Sequence, residues 1–245
     1  MFDIVIPVGP YDINKIKNQL VYTKINIVGY RNIYLILNKL YFNLLSLDKD
    51  IHLISEDSFP FSKLTIEQFH GENNRNGWYF QQLLKLYAGL IIPNILDKYL
   101  VIDADTFFLK KTTFIENNKC LYNFSFEYYI PYFEHMNKLS NDFIKKFDNK
   151  SGICHHMIFE TKIINEIFNI IENIHNDFFY NIFLKNVNYD EITKSGASEY
   201  EIYFNFIFNK YPDNVILRHL NYIDTNDIKE LNNKNVDYIS MHHYL

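Results

Sequence analysis

Tyr99-Leu100-Val101-Ile102-Asp103-Ala104-Asp105 is an unbroken apolar run that stops abruptly on two carboxylates. Four apolar residues without alternation read as a strand buried on both faces, the signature of a central strand in a parallel sheet. Open sheets of this kind hold ligands at the carboxyl ends of their strands. Period-two alternation sends Asp103 and Asp105 to one side and the small Ala104 to the other, where it permits close packing behind the pair. An Asp-x-Asp triplet by itself is a weak signal, since solvated turns and caps also carry it. Here the buried run before it and Thr106-Phe107-Phe108-Leu109 after it strengthen the reading. Two carboxylates so placed can hold a hard divalent cation, with oxygens left over for a ribose or water.

The surrounding pattern predicts an α/β fold. Residues 2–8 read as a buried opening strand, with Pro7 near its end, where a missing ladder donor costs least. Asp12 is a candidate cap for a helix carrying Ile13, Ile16 and Leu20 on one face. Residues 32–37 and 51–55 read as further short strands, and 215–217 and 237–241 as late ones. Over residues 77–90, Phe80, Leu83, Leu84, Tyr87 and Ile91 form a helical core face, while Trp78, Gln82 and Lys85 lie on another stripe. Pro93 ends that pattern. Ile164, Ile167, Phe168, Ile171 and Ile174 mark another amphipathic helix, and Tyr200, Tyr203, Phe204 and Ile207 one more. Alternating strands and helices imply a mixed, mostly parallel central sheet flanked by helices. With no repeat or linker, residues 1–245 read as a single domain, long enough to bury a substantial core.

Composition narrows the function. Hydrophobic residues at 48% and charged ones at 22% describe a globular chain rather than a disordered one. The net charge of -5 speaks against a nucleic-acid partner, which needs a basic footprint. Two cysteines, Cys120 and Cys154, give no disulfide framework and no Cys-x-x-Cys metal spacing, and they fit a reducing compartment. No apolar stretch reaches the ~20 residues of a transmembrane helix. The expectation is a cytoplasmic protein.

The stretch from Tyr99 to Thr106 resembles the metal-site strand of GT-A glycosyltransferases, particularly the glycogenin and galactosyltransferase group. Residues 75–86, Arg-Asn-Gly-Trp-Tyr-Phe-Gln-Gln-Leu-Leu-Lys-Leu, resemble a stretch of uncharacterised GT-A-like proteins of bacteria and large DNA viruses. For a viral chain the compartment would be the host cytoplasm. The resemblance covers residues 2–106 well and the C-terminal half in patches. It implies a single Rossmann-like GT-A domain, a nucleotide-sugar donor (commonly a UDP-sugar) and Mn²⁺ or Mg²⁺ bridging the diphosphate. The acceptor would be a hydroxyl of a glycan, a protein or a lipid-linked molecule.

By position, Asp105 would ligate the metal, and Asp103 would contact both metal and ribose. A late His completes the metal set in that group, so Ser240-Met241-His242-His243-Tyr244-Leu245 supplies His243, favoured by its aromatic neighbour, or His242. Neutral imidazole beside carboxylates suits Mn²⁺. The chain lacks the Gly-x-x-Lys-Pro-Trp continuation of that group. Lys85, and more weakly Gln82, would sit near the diphosphate. Asp3, Val5, Pro7 and Val8 would wall the base, with Val8 offering a backbone contact and Ala104 lying within the nucleotide site. Two adjacent histidines on a strand cannot face one ligand, and of His155 and His156 the second is expected at the sugar.

Ser198-Glu199-Tyr200-Glu201 has the Ser-x-x-Glu spacing of a capping box, which would fold Glu201 back on its helix and leave Glu199 as the acceptor-side carboxylate. Ser195-Gly196-Ala197 before it reads as a close-approach loop.

Three rivals share parts of this pattern. A nucleotidyltransferase would need a Gly-rich basic loop after the first strand, whereas Val8-Gly9-Pro10-Tyr11-Asp12 has one Gly and no Lys or Arg. A non-catalytic nucleotide-sugar binding protein would have no need of an acidic pair and a terminal His. A two-metal hydrolase would need a denser His/Asp cluster.

Overall fold

The computed structural model describes residues 1–45 and 48–242. The elements that build the site are, in chain order, β1 (Phe2–Pro7), α1 (Ile16–Asn26), β2 (Tyr30–Leu37), β3 (Ile51–Ser55), α2 (Asn76–Ile91), β4 (Lys98–Ile102), β5 (Thr106–Phe108), β6 (His156–Glu160), α3 (Thr161–His175), α4 (Glu199–Lys210), β7 (Tyr222–Thr225) and β8 (Tyr238–Met241).

The central sheet has the order β6-β4-β1-β2-β3, with β4, β1, β2 and β3 parallel and β6 antiparallel to β4 at the edge. Every residue of β1 is buried, as is the Tyr99–Ile102 portion of β4, which is why β4 reads as a continuous apolar run and β1 as one interrupted only by Asp3. Helices flank this sheet, so the chain is mixed α/β with a mostly parallel centre, as the sequence predicts. A second sheet, β7-β8-β5, pairs β7 with β8 in parallel and β8 with β5 antiparallel.

α1 begins at Ile16, later than the Asp12 cap predicts, because Asp12 closes a turn instead: its carbonyl accepts from the amides of Lys15 and Ile16. The helix buries Gln19, Thr23 and Asn26 rather than a purely apolar stripe. Two of these are donors to β5: Gln19 Nε2 gives to the Thr106 carbonyl at 3.1 Å, and Asn26 Nδ2 to the Phe108 carbonyl at 2.7 Å. Buried carbonyls of a short strand need partners, and polar helix residues supply them. α1 thereby pins the strand that follows Asp105.

Asp3 belongs to this scaffold, not to a ligand wall. Its carboxylate takes a two-pronged contact from Arg31, at 3.0 and 2.6 Å, and accepts from the amides of Asn32 and Leu96. It sits at the amino end of β1, opposite the end where ligands bind, and Val5 is wholly inside the core. Cys120 and Cys154 are buried free thiols, and no described helix is long and apolar enough to cross a membrane.

Candidate functional site

A cleft of about 830 Å³ opens at the carboxyl ends of β1, β2 and β4. Pro7 and Val8 line it after β1, Asn38 after β2, and Asp103, Ala104 and Asp105 after β4. One flank is α2, which presents Trp78, Gln81 and Lys85; another is the start of α4, with Ser198, Glu199 and Tyr200. The Val8 amide is already bonded to the Ile36 carbonyl at 2.8 Å, so Val8 offers a ligand its carbonyl and its apolar side chain.

Strand pairing delivers the polar side chains. β6 pairs with β4 so that His156 faces Ile102, and the next step places His155 beside Asp103, whose amide bonds to the His155 carbonyl at 2.9 Å. His155 has a φ of +59°, a left-handed turn that swings its ring out of the strand's alternation. On the other side Ser240 pairs with Thr106, their hydroxyls 2.8 Å apart. One step on, the Met241 amide bonds to the Asp105 carbonyl at 2.8 Å, which puts His242 at the mouth of the cleft. β7 adds Asp224, in register with Ser240.

The result is a chain of charge contacts. His242 Nδ1 lies 3.1 Å from Asp105 Oδ2, and His155 Nδ1 lies 3.5 Å from Asp103 Oδ2. The Nε2 atoms of both rings approach Asp224 Oδ1, at 3.2 Å from His155 and 3.4 Å from His242. Burial would lower both imidazoles, but the carboxylates outweigh it and raise His155 to about 10 and His242 to about 9. Asp224 resists the upward push of burial and falls well below the carboxylate range, held there by the two rings. Two imidazoles facing a carboxylate form a donor set that fits a divalent ion such as Mn²⁺, and His155, Asp224 and His242 bring their ligand atoms within 4.8 Å of one another.

Deeper in the cleft, Lys85 is buried with its Nζ 2.6 Å from Asp103 Oδ1 and 2.7 Å from Glu199 Oε1, and 4.5 Å from the centre of the Tyr200 ring. The Tyr200 hydroxyl donates to Asp103 Oδ1 at 3.4 Å. Burial would strip the Lys85 proton, yet the two carboxylates hold it at about 12. One ammonium cannot neutralise two acids. Asp103, pushed up by burial, is brought well below its ordinary value by Lys85 and His155, whereas Glu199 stays above its own because burial outweighs Lys85. A buried carboxyl poised above the usual range is suited to taking or giving a proton.

The sequence profile of a family of unknown function (DUF6492) matches residues 38–244. The chain belongs to this family. No protein of curated function matches it in sequence. Among solved structures, the apo form of mouse xyloside xylosyltransferase 1 aligns over 99% of this chain and 98% of its own, at 9% identity and a TM-score of 0.45.

In this DUF6492 member the cleft gathers Asp103, Ala104, Asp105, Val8, Lys85, Glu199 and His242 from the sequence reading. His243 lies outside the described residues. Two expectations are corrected. His156 is not at the cleft: it is buried against Phe108, Phe114 and Tyr238, and burial drives its imidazole down to about 3. It starts β6 and obeys the strand's alternation, so the left-handed His155 takes the cleft position. Gln82 is also buried, accepting from the Glu199 amide at 3.0 Å, so it caps α4, while Gln81 faces the cleft.

The capping box is half made. Ser198 Oγ accepts from the Glu201 amide at 3.2 Å, but the Glu201 carboxylate turns to the Ser151 hydroxyl and to Asn205 Nδ2 instead of back to its own helix end. The Gly196 loop is as close-fitting as predicted, since a Cβ there would lie 2.5 Å from Val187 Cγ1.

Other cleft residues carry no predicted role in the sequence, among them His155, Lys63, exposed at the rim, and Arg75, which lies 4.6 Å from the centre of the Trp78 ring and bonds Ser195 Oγ at 2.5 Å. Asp224, also unpredicted, lies on β7 against the rings of His155 and His242.

Proposed function

We propose that this chain is a metal-dependent glycosyltransferase with a single GT-A domain, moving a sugar from a nucleotide-diphosphate donor to a hydroxyl acceptor. The observation that carries the reading is the meeting, in one cleft at the carboxyl ends of β1, β2 and β4, of the Asp103/Asp105 pair, His242 and the buried Lys85–Glu199 pair. The glycogenin-like resemblance of residues 99–106 agrees with it and is the sole ground for choosing uridine as the base.

A nucleotide diphosphate brings about two to three negative charges into a cleft that already holds two aspartates, so a cation must stand between them. His242 and its neighbours, with Asp105 behind the His242 ring, would hold that cation, and Mn²⁺ there would neutralise the diphosphate and stabilise it as leaving group. Arg75 and Lys63 at the rim add positive charge for phosphate oxygens. Val8 and Trp78 wall the donor with apolar surface. Lys85 holds Asp103 ionised and fixes the Glu199 carboxylate toward the acceptor side. Glu199 then takes the proton of the attacking hydroxyl in an inverting transfer, or orients that hydroxyl in a retaining one. The acceptor is a glycan, protein or lipid-linked hydroxyl, and the compartment is the cytoplasm.

The test is a transfer assay with a panel of UDP-sugars and acceptor glycans, with Mn²⁺ and with chelator. Mn²⁺-dependent release of UDP that Glu199→Gln suppresses supports the reading. Release of pyrophosphate from a nucleoside triphosphate instead would point to the nucleotidyltransferase rival.

A further inference from the structure

We infer that the Asp-x-Asp pair works here through two histidines, and that the ion is ligated by Nε2 of His155, Nε2 of His242 and a carboxylate oxygen of Asp224. This deepens the metal-dependent reading above and rests on it. It adds the identity of the ligands, two of which, His155 and Asp224, lie outside both the Asp-x-Asp motif and the His242–His243 pair.

The geometry is paired. Asp103 Oδ2 faces Nδ1 of His155 and Asp105 Oδ2 faces Nδ1 of His242, while the Nε2 of each ring points at the same Asp224 oxygen, at 3.2 and 3.4 Å. A carboxylate on one imidazole nitrogen fixes the tautomer and ring orientation and directs the other nitrogen at a metal, the usual support for a ligating histidine. Neighbouring ligand atoms around a small divalent ion lie about 3 Å apart, given bond lengths of about 2.0–2.2 Å. The two Nε2–Oδ1 separations match that spacing.

Asp103 has little capacity left for an ion. Its Oδ1 is 2.6 Å from Lys85 Nζ and accepts from Tyr200, and its Oδ2 faces His155. Asp224, by contrast, keeps a side chain 43% exposed on β7, leaving the ion an open side for diphosphate oxygens. Two imidazoles and a carboxylate also select among ions, favouring Mn²⁺, Co²⁺ or Zn²⁺ over the oxygen-seeking Mg²⁺ and Ca²⁺.

The experiment loads the full chain with Mn²⁺ alone and counts coordinated nitrogens by pulsed electron paramagnetic resonance. Two imidazole ¹⁴N couplings are expected, both replaced when histidine is ¹⁵N-labelled, and one of them lost in His155→Ala. Asp224→Ala, an exposed site whose loss leaves the core intact, should abolish saturable Mn²⁺ binding. Asp105→Asn should keep both nitrogens and weaken binding about 10–100-fold, as loss of an orienting partner does. A single nitrogen coupling, no Mn²⁺ binding at all, or unchanged affinity in Asp224→Ala would overturn the ligand set. The two readings separate when UDP is added. Two nitrogens with no response to UDP keeps the ligand set and rejects the transferase; Mn²⁺-dependent UDP binding with one nitrogen does the reverse.

Discussion

Lys85 on α2 and Glu199 at the start of α4 are joined by a buried ion pair of 2.7 Å that spans 114 residues of sequence. It ties α2, the helix between β3 and β4, to the helix that carries Glu199 into the cleft. Because Asp103 shares the same ammonium at 2.6 Å, the pair is also the electrostatic floor of the cleft.

Removing the lysine is therefore expected to be costly. Lys85→Met strands two carboxylates in a buried site, and loss of one member of such a cluster costs about 3–5 kcal/mol. Glu199→Gln removes one acid from an over-acidic site and should cost far less, while slowing transfer about 100-fold with donor affinity nearly unchanged. Denaturant melts and steady-state kinetics of the two variants check this. Equal stability losses would show that Glu199 is a scaffold residue.

Glu201 gives a pH signature. Burial raises its carboxyl to about 7, against the pull of Ser151 and Asn205. Its folded value thus lies above the ordinary 4.5, so its contribution to stability is full below about pH 4.5 and fades as pH rises through 7. Glu201→Gln keeps a neutral hydrogen-bonding side chain there, and should remove about 1–3 kcal/mol of pH dependence across that window. Melting curves at pH 5 and pH 8 measure it; parallel shifts of wild type and variant at both would contradict the assignment.

His156 should act in the opposite sense. Its folded value of about 3 lies below the ordinary 6.5, so its contribution is present above pH 6.5 and is lost as pH falls toward 3. His156→Leu is expected to lose about 1–2 kcal/mol less stability than wild type between pH 7 and pH 5, and to bind Mn²⁺ and UDP unchanged. Impaired ligand binding in a well-folded His156→Leu would return this histidine to the cleft.

The difference between His155 and His156 shows where sequence reading stops. A buried strand ending in Asp103 and Asp105 is legible because desolvation forbids carboxylates in a core without a reason, and β4 follows the prediction closely. α2 is legible from its apolar spacing, but which of Gln81 and Gln82 faces the cleft depends on what packs behind the helix. His155 escapes strand logic through one left-handed residue that no local signal announces. Asp224 lies on a four-residue strand, Tyr-Ile-Asp-Thr, too short and too exposed to stand out as a strand, and only its pairing with β8 brings it beside His242. Glu201 satisfied the capping spacing, yet Ser151 and Asn205, brought close by the fold, offered its carboxylate better donors.

The central claim is that the cleft binds a nucleotide diphosphate through a divalent ion, and calorimetric titration of UDP tests it most directly. The account predicts saturable binding of UDP to the protein with Mn²⁺, weakened at least about tenfold by chelator. Asp105→Asn and Asp224→Ala should each weaken it further in Mn²⁺. UDP binding of equal strength with and without the metal, or none for UDP, GDP or ADP under any metal condition, would contradict it.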